Sequence, residues 1–134
     1  MAGWQGLLDA DGYDLRPGAW PDAISEAERV IGLRFPAELR SLYRASDGVF
    51  DSGGQWWVIW PLAMLAAENT SRRQAGVLPA GLIAFGDDGT GNPFCMRPGY
   101  EDVGWWHPID GRYQPLAANL AAFWQGWTDQ TITT

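Results

Sequence analysis

IAFGDDGTGNPF, Ile83 to Phe94, is the stretch on which the fold turns. Two apolar, strand-prone runs, Leu82–Phe85 and Phe94–Arg97, flank the turn-forming segment Gly86–Asn92, whose glycines can take the positive φ that a tight reversal demands. Such a pattern reads as an antiparallel hairpin. Towards the C-terminus, the loop Pro98–Asp102 leads into a third run, Val103–His107, so consecutive antiparallel pairing is the simplest topology. Asp110 and Gly111 make the next turn. From about Pro115 to Trp127, Leu116, Leu120, Phe123, Trp124 and Trp127 recur at helical spacing on one broad face, which predicts a closing helix laid on the sheet.

Towards the N-terminus, Gln55–Trp60 is aromatic and β-branched, as a half-buried strand requires, and Pro61 stops it. Leu62, Leu65 and Asn69 mark a short helix, followed by a polar stretch, Ser71–Gly81, that reads as mobile. Earlier still, Ile24, Ala27 and Ile31 share one helical face, with Asp22 placed to accept amide hydrogen bonds at the start and Gly32 suited to a left-handed stop. A second helix is expected from Pro36 to Gly48 with Leu39, Leu42 and Tyr43 inward, paired with the first. The first 20 residues read as a short helical arm and an irregular connector. The expectation is an α+β fold: an N-terminal helix pair, a central mostly antiparallel β-sheet and a C-terminal helix packed on it. Residues 1–134 read as one domain, with 1–20 as the arm and 21–128 as the core. No repeat or linker divides the chain.

The composition narrows the function. With 134 residues, 46% of them apolar, and nine tryptophans, the chain can bury a sizeable core. Sixteen acidic residues against nine arginines and no lysine leave a formal charge of −7, which repels phosphate backbones and anionic membrane surfaces. A nucleic-acid or membrane partner is not expected; a basic protein partner is. Cys95 is the lone cysteine, so no intrachain disulfide can form. The start lacks the order of a secretory signal, and a cytoplasmic location is expected.

No constellation points to catalysis or to a cofactor. His107 is the sole histidine, which excludes a two-histidine metal site, and its place before Pro108 at a strand end suits a structural role. Cys95, between Phe94 and Met96, reads as a buried, inert thiol. The run Gly86–Asn92 lacks the lysine and following helix of a phosphate loop. Three readings remain for it: a tight turn needing no ligand, an acidic loop facing a partner, or oxygen ligands of Asp87, Asp88 and Asn92 around a hard cation. Tryptophans 56, 57, 60, 105 and 106 cannot all point inward, because strand neighbours face opposite sides of a sheet. Glu26, Glu28 and the pair Arg72 and Arg73 read as ordinary exposed charge. The candidate partner-binding residues are therefore Asp87, Asp88, Trp57, Trp60, Trp105, Trp106, Glu101 and Asp102, with no catalytic residue, metal ligand or cofactor site.

Three segments in this order resemble the SUKH superfamily: ISEAERVIGLRFPAEL at 24–39, SDG at 46–48 and IAFGDDGTGNPF at 83–94. WVIWPL at 57–62 and LAANLAAF at 116–123 extend the likeness over roughly residues 20 to 127. The resemblance implies an α+β domain with N-terminal helices, an antiparallel sheet and a C-terminal helix. It also implies a non-enzymatic binding protein. Many bacterial members are immunity proteins that neutralise polymorphic toxins, commonly nucleases or deaminases, and fungal relatives regulate cell-wall assembly. The family's acidic hairpin falls on Asp87 and Asp88, and its aromatic strand on Trp57 and Trp60. Phe35 departs harmlessly from a common leucine, and the tryptophan density at Trp105 and Trp106 suggests a partner surface peculiar to this chain. The alternative expectation is a scaffold module of the same fold with a cellular partner.

Overall fold

In the computed structural model, which describes residues 3–132, helix α1 (Gly3–Leu8) and strand β1 (Tyr13–Leu15) form the arm. Helix α2 (Pro21–Ile31) turns Ile24, Ala27 and Ile31 inward and stops at Gly32, whose φ of 74° is the left-handed one expected. Asp22 does not cap it. Trp20 holds the cap position without a side-chain bond, and Pro21 at the first helical position has no amide to satisfy. Helix α3 (Ala37–Ala45) follows Pro36 and buries Leu39, Leu42 and Tyr43.

The Ser46-Asp47-Gly48 stretch then knots three parts of the chain together. The Asp47 amide donates to Pro17 O at 3.0 Å, and the Asp47 carboxylate accepts from the Leu62 amide at 2.7 Å, at the start of helix α4 (Leu62–Gln74). Gly48 is required where it stands: its φ is 107°, and a Cβ would lie 2.9 Å from the Pro61 nitrogen. Helix α4 runs through the first residues of the stretch expected to be mobile. Arg73 is the reason, since its guanidinium reaches across to Ile31 O and Leu82 O and ties the last turn of α4 to α2 and to the following strand.

The strands form two antiparallel sheets where one was expected. Strands β2 (Val49–Asp51) and β3 (Trp56–Ile59) pair with β1 in the order β1-β2-β3. Strands β4 (Ile83–Asp87), β5 (Pro93–Met96), β6 (Val103–His107) and β7 (Arg112–Ala117) form a meander. The two sheets meet where the Trp60 amide donates to Phe85 O at 2.8 Å, and a Cβ at Gly86 would lie 1.8 Å from Val58 O, so only glycine lets the strands approach there. Pairing stops beside that contact because the buried Asn69 of α4 takes both backbone groups of Ala84. Its Nδ2 donates to Ala84 O at 2.8 Å, and its Oδ1 accepts from the Ala84 amide at 3.0 Å.

Residues 115–117, expected at the start of the last helix, are the end of β7. Pro115 lies opposite Gly104 on the outer strand, where a missing amide breaks no ladder. Helix α5 (Leu120–Thr128) begins later and is capped twice: Asn119 accepts from the Ala122 amide at 2.8 Å, and Glu38 of α3 accepts from the Leu120 and Ala121 amides at 2.6 and 3.1 Å. As expected, α5 packs on the sheet, with Phe123 edge-on to Phe85 and Phe94 at 6.0 and 4.7 Å. Each such fully buried ring contributes about 1.5–3 kcal/mol of transfer free energy. Trp124 anchors the arm, its indole N–H donating to Leu7 O at 2.9 Å.

Candidate functional site

The acidic hairpin turns on glycines, as expected: Gly89 and Gly91 sit at φ 91° and 99°. Its aspartates are largely occupied in building it. Asp87 Oδ1 accepts from the Gly89 amide at 3.0 Å, while Asp88 Oδ1 accepts from the Thr90 amide at 2.8 Å and from its hydroxyl. Asp88 is only 8% exposed, and its Oδ2 is buried without a hydrogen-bond partner among the described residues. Burial pushes the half-buried Asp87 carboxyl above its ordinary range, and the Gly89 amide pulls the other way.

Two side chains clamp this turn from outside. The Trp56 indole N–H donates to Asp87 O at 3.1 Å, its ring lying against Gly89. Arg72 donates to Gly91 O at 3.0 Å, pairs with Glu68 at 2.9 Å and lies over the Trp60 ring at 5.3 Å. Arg72 and Arg73 are thus braces of the fold, not free surface charge. Glu28 is another correction: its carboxylate holds the Phe35 amide at 2.7 Å and Arg40 at 2.6 Å, fixing the α2–α3 connection. Glu26 is the exposed residue expected, paired with Arg29.

The remaining residues of the predicted partner set fall in different places. Trp60 is in the core at 1% exposure, under Arg72, and offers a partner no surface in this conformation. Trp105 and Trp106 point to opposite faces of the sheet. The indole of Trp105 donates to Asn92 O at 3.3 Å, close to the hairpin, and its ring stands edge-on to His107 at 4.1 Å. The indole of Trp106 donates to Val77 O at 2.7 Å. Asp102 is held by Arg97 at 3.1 Å and by the Tyr113 hydroxyl at 3.0 Å. Glu101 is exposed at the far end of β5 from the hairpin tip, and its carboxylate makes no hydrogen bond or ion pair among the described residues.

Trp57 is the predicted aromatic that the structure leaves available. It is half-buried, its indole N–H has no partner among the described residues, and its ring stands edge-on to Phe50 at 5.0 Å. The registers Asp14↔Phe50 and Phe50↔Trp57 set these three in one row across the small sheet, with Asp14 exposed at its outer edge. Asp14 and Phe50 were missed because β1 and β2 are three residues each, too short for alternation to register. Trp20, 81% exposed at the head of α2, was missed as well.

Charge is unevenly spent. Arg29, Arg40, Arg72, Arg97 and Arg112 sit in ion pairs with carboxylates, whereas among the described residues Arg16, Arg34 and Arg44, like the carboxylates of Asp9, Asp11, Asp14, Asp22 and Glu101, have no such partner. Asp9, Asp11 and Asp14 all belong to the arm, in a chain whose formal charge is −7. His107 bonds Gln114 at 3.1 Å, and burial pushes the Cys95 thiol far up, away from the thiolate a nucleophile needs. Among the described residues no three of His, Cys, Asp and Glu gather as a metal-holding group, and no helix is long and apolar enough to cross a membrane.

Residues 18–126 match the family model described as the SMI1 / KNR4 family (SUKH-1). No curated protein matches the chain.

Proposed function

We propose, from the premise that the chain belongs to the SMI1 / KNR4 family (SUKH-1), that it is a non-enzymatic binding protein of the immunity type. Its task is to seat on a toxin domain of the nuclease or deaminase class and block it. The family match over 18–126 carries this reading. A nuclease that grips phosphates presents positive charge. The unpaired carboxylates of this chain supply the complementary field, which speeds encounter and selects the partner more than it tightens the complex.

The anchor of the contact is the Asp14–Phe50–Trp57 row, where aromatic area and an acid stand together on one sheet face. Asp87 and Trp105 lie at the rim of the hairpin and take a lesser, orienting part. Cytoplasmic residence accords with the free Cys95 thiol. The test is co-expression with each toxin domain encoded beside the gene: the cognate domain should co-elute with this chain and lose its toxicity. If none is bound or neutralised, and a partner from elsewhere in the cell takes the same face, the protein is a scaffold module and the immunity reading falls.

A further inference from the structure

At the end of the four-stranded sheet remote from the acidic hairpin, a groove of about 390 Å³ runs between the start of α3 and the β5–β6 loop. Its floor is apolar: Phe35 and Met96, 4% and 0% exposed, lie beneath it, with Ala37 beside them. One wall is Tyr100, more than half exposed and carried by the turn that Gly99 makes at φ 83°. Two carboxylates line the same groove. Glu38 is committed to the α5 amides, and Glu101 has no partner among the described residues.

We infer that this groove is a receptor for one arginine or lysine side chain of a protein partner, distinct from the Trp57 face. The chemistry of such a side chain fits point by point. Its methylene stem lies on the apolar floor against the wall made by Tyr100, and its cationic head reaches Glu101. No basic residue lines the groove. Arg97, 3.9 Å from the Tyr100 ring, is bound to Asp102, and Arg40 is bound to Glu28. The N-terminal end of α3 also opens here, and its positive end is offset by Glu38 in its first turn. An anionic ligand would meet two carboxylates and no cation.

The inference rests on the protein-binding reading, but its test needs no partner. The full chain, isotopically labelled, is titrated by NMR with N-acetyl-arginine amide at fixed ionic strength, and in parallel with the neutral citrulline analogue and with N-acetyl-glutamate amide. The arginine probe should shift the amides of Ala37, Gly99 and Tyr100 saturably, the citrulline and glutamate probes should not, and Glu101→Gln should weaken the arginine response about 2- to 5-fold, the range of one exposed ion pair. Tyr100→Ser should weaken it too, whereas Asp87→Asn should leave it unchanged. Shifts equal for arginine and citrulline, shifts confined to the hairpin, or a stronger response to glutamate would overturn it. A silent groove in a chain that still neutralises a toxin removes this inference alone; a responsive groove in a chain that binds no toxin removes the immunity reading alone.

Discussion

Replacing Asn69 with alanine should unfold the junction between α4 and β4 before it touches any surface. The Asn69 side chain is fully buried, and its amide acts as a one-residue stand-in for a neighbouring strand. It gives Ala84 O a donor and the Ala84 amide an acceptor, both at ordinary distances, and Nδ2 also donates to Leu65 O at 2.8 Å. Ala84 has no exposure either, so the alanine variant leaves an N–H and a C=O without water to replace the lost partner. Each such orphan costs about 1–3 kcal/mol, which sets the loss at roughly 2–6 kcal/mol against a typical total of about 5–15.

Urea unfolding followed by tryptophan fluorescence should show that loss as a lower midpoint with an unchanged slope. In thermal melts, taking about 4 °C per kcal/mol for a chain of this size, Tm should fall by ~8 °C or more. Asn69→Leu separates the two physical causes. If the side chain mattered by filling space, leucine would restore stability; if it mattered by satisfying Ala84, leucine should be as poor as alanine. A leucine variant as stable as the parent, or an alanine loss under about 1 kcal/mol, refutes the strand-substitute account.

Asp87→Asn keeps the acceptor for Gly89 and removes a carboxyl whose pKa folding raises. Because the folded pKa lies above the unfolded one, the ionised form is penalised only in the native state. That penalty is complete above the folded pKa and disappears as pH falls through it to the unfolded value, so the variant should equal or exceed the parent at pH 7 and lose its advantage in acid, read from Tm against pH. Glu38→Ala strips both oxygens from the α5 amides and should cost about 0.5–2 kcal/mol, with faster hydrogen exchange confined to the first turn of α5. Trp57→Ala should weaken binding of the cognate toxin domain by roughly 30-fold or more, as loss of an interface anchor worth about 2 kcal/mol or more does, measured below the variant's own Tm so that the lost packing on Phe50 does not enter. An unaltered affinity in calorimetry would remove Trp57 from the contact.

Helix periodicity and punctuation carried most of the fold. Ile24, Ala27 and Ile31 with Gly32, and Leu39, Leu42 and Tyr43 after Pro36, are local signals that tertiary packing had no cause to override. The turn expected over 86–92 was legible at its tip for the same reason, since positive φ at Gly89 and Gly91 is written in residue type, but Gly86 and Asp87 extend β4 and pair with Phe94 and Pro93. What failed was non-local. Residues 115–117 carry helix-like spacing yet join β7, because the open edge of β6 rewards pairing more than an uncapped helix start rewards winding, and the real cap comes from Glu38, far away in sequence. Likewise one sheet became two because a side chain, Asn69, occupies the edge where a further strand would have paired.

The site was less legible than the fold, and the cause lies in what the motif acids do. Read as composition, Glu28, Asp47, Asp87 and Asp88 are negative charge awaiting a partner. In the folded chain each of them accepts at least one backbone amide, from Phe35, Leu62, Gly89 and Thr90 respectively, and so shapes a connection. A carboxylate that binds two or three residues away or bridges two elements holds its geometry whatever stands outside, and it has correspondingly less to give an arginine on another protein. The charge still available belongs to residues that do no such work: Asp9, Asp11, Asp14, Asp22 and Glu101. It follows that neutralising the hairpin aspartates should alter stability more than it alters affinity, whereas neutralising Asp14 or Glu101 should do the reverse. The segments that mark the family build the frame, and the acids that choose a partner stand beside them.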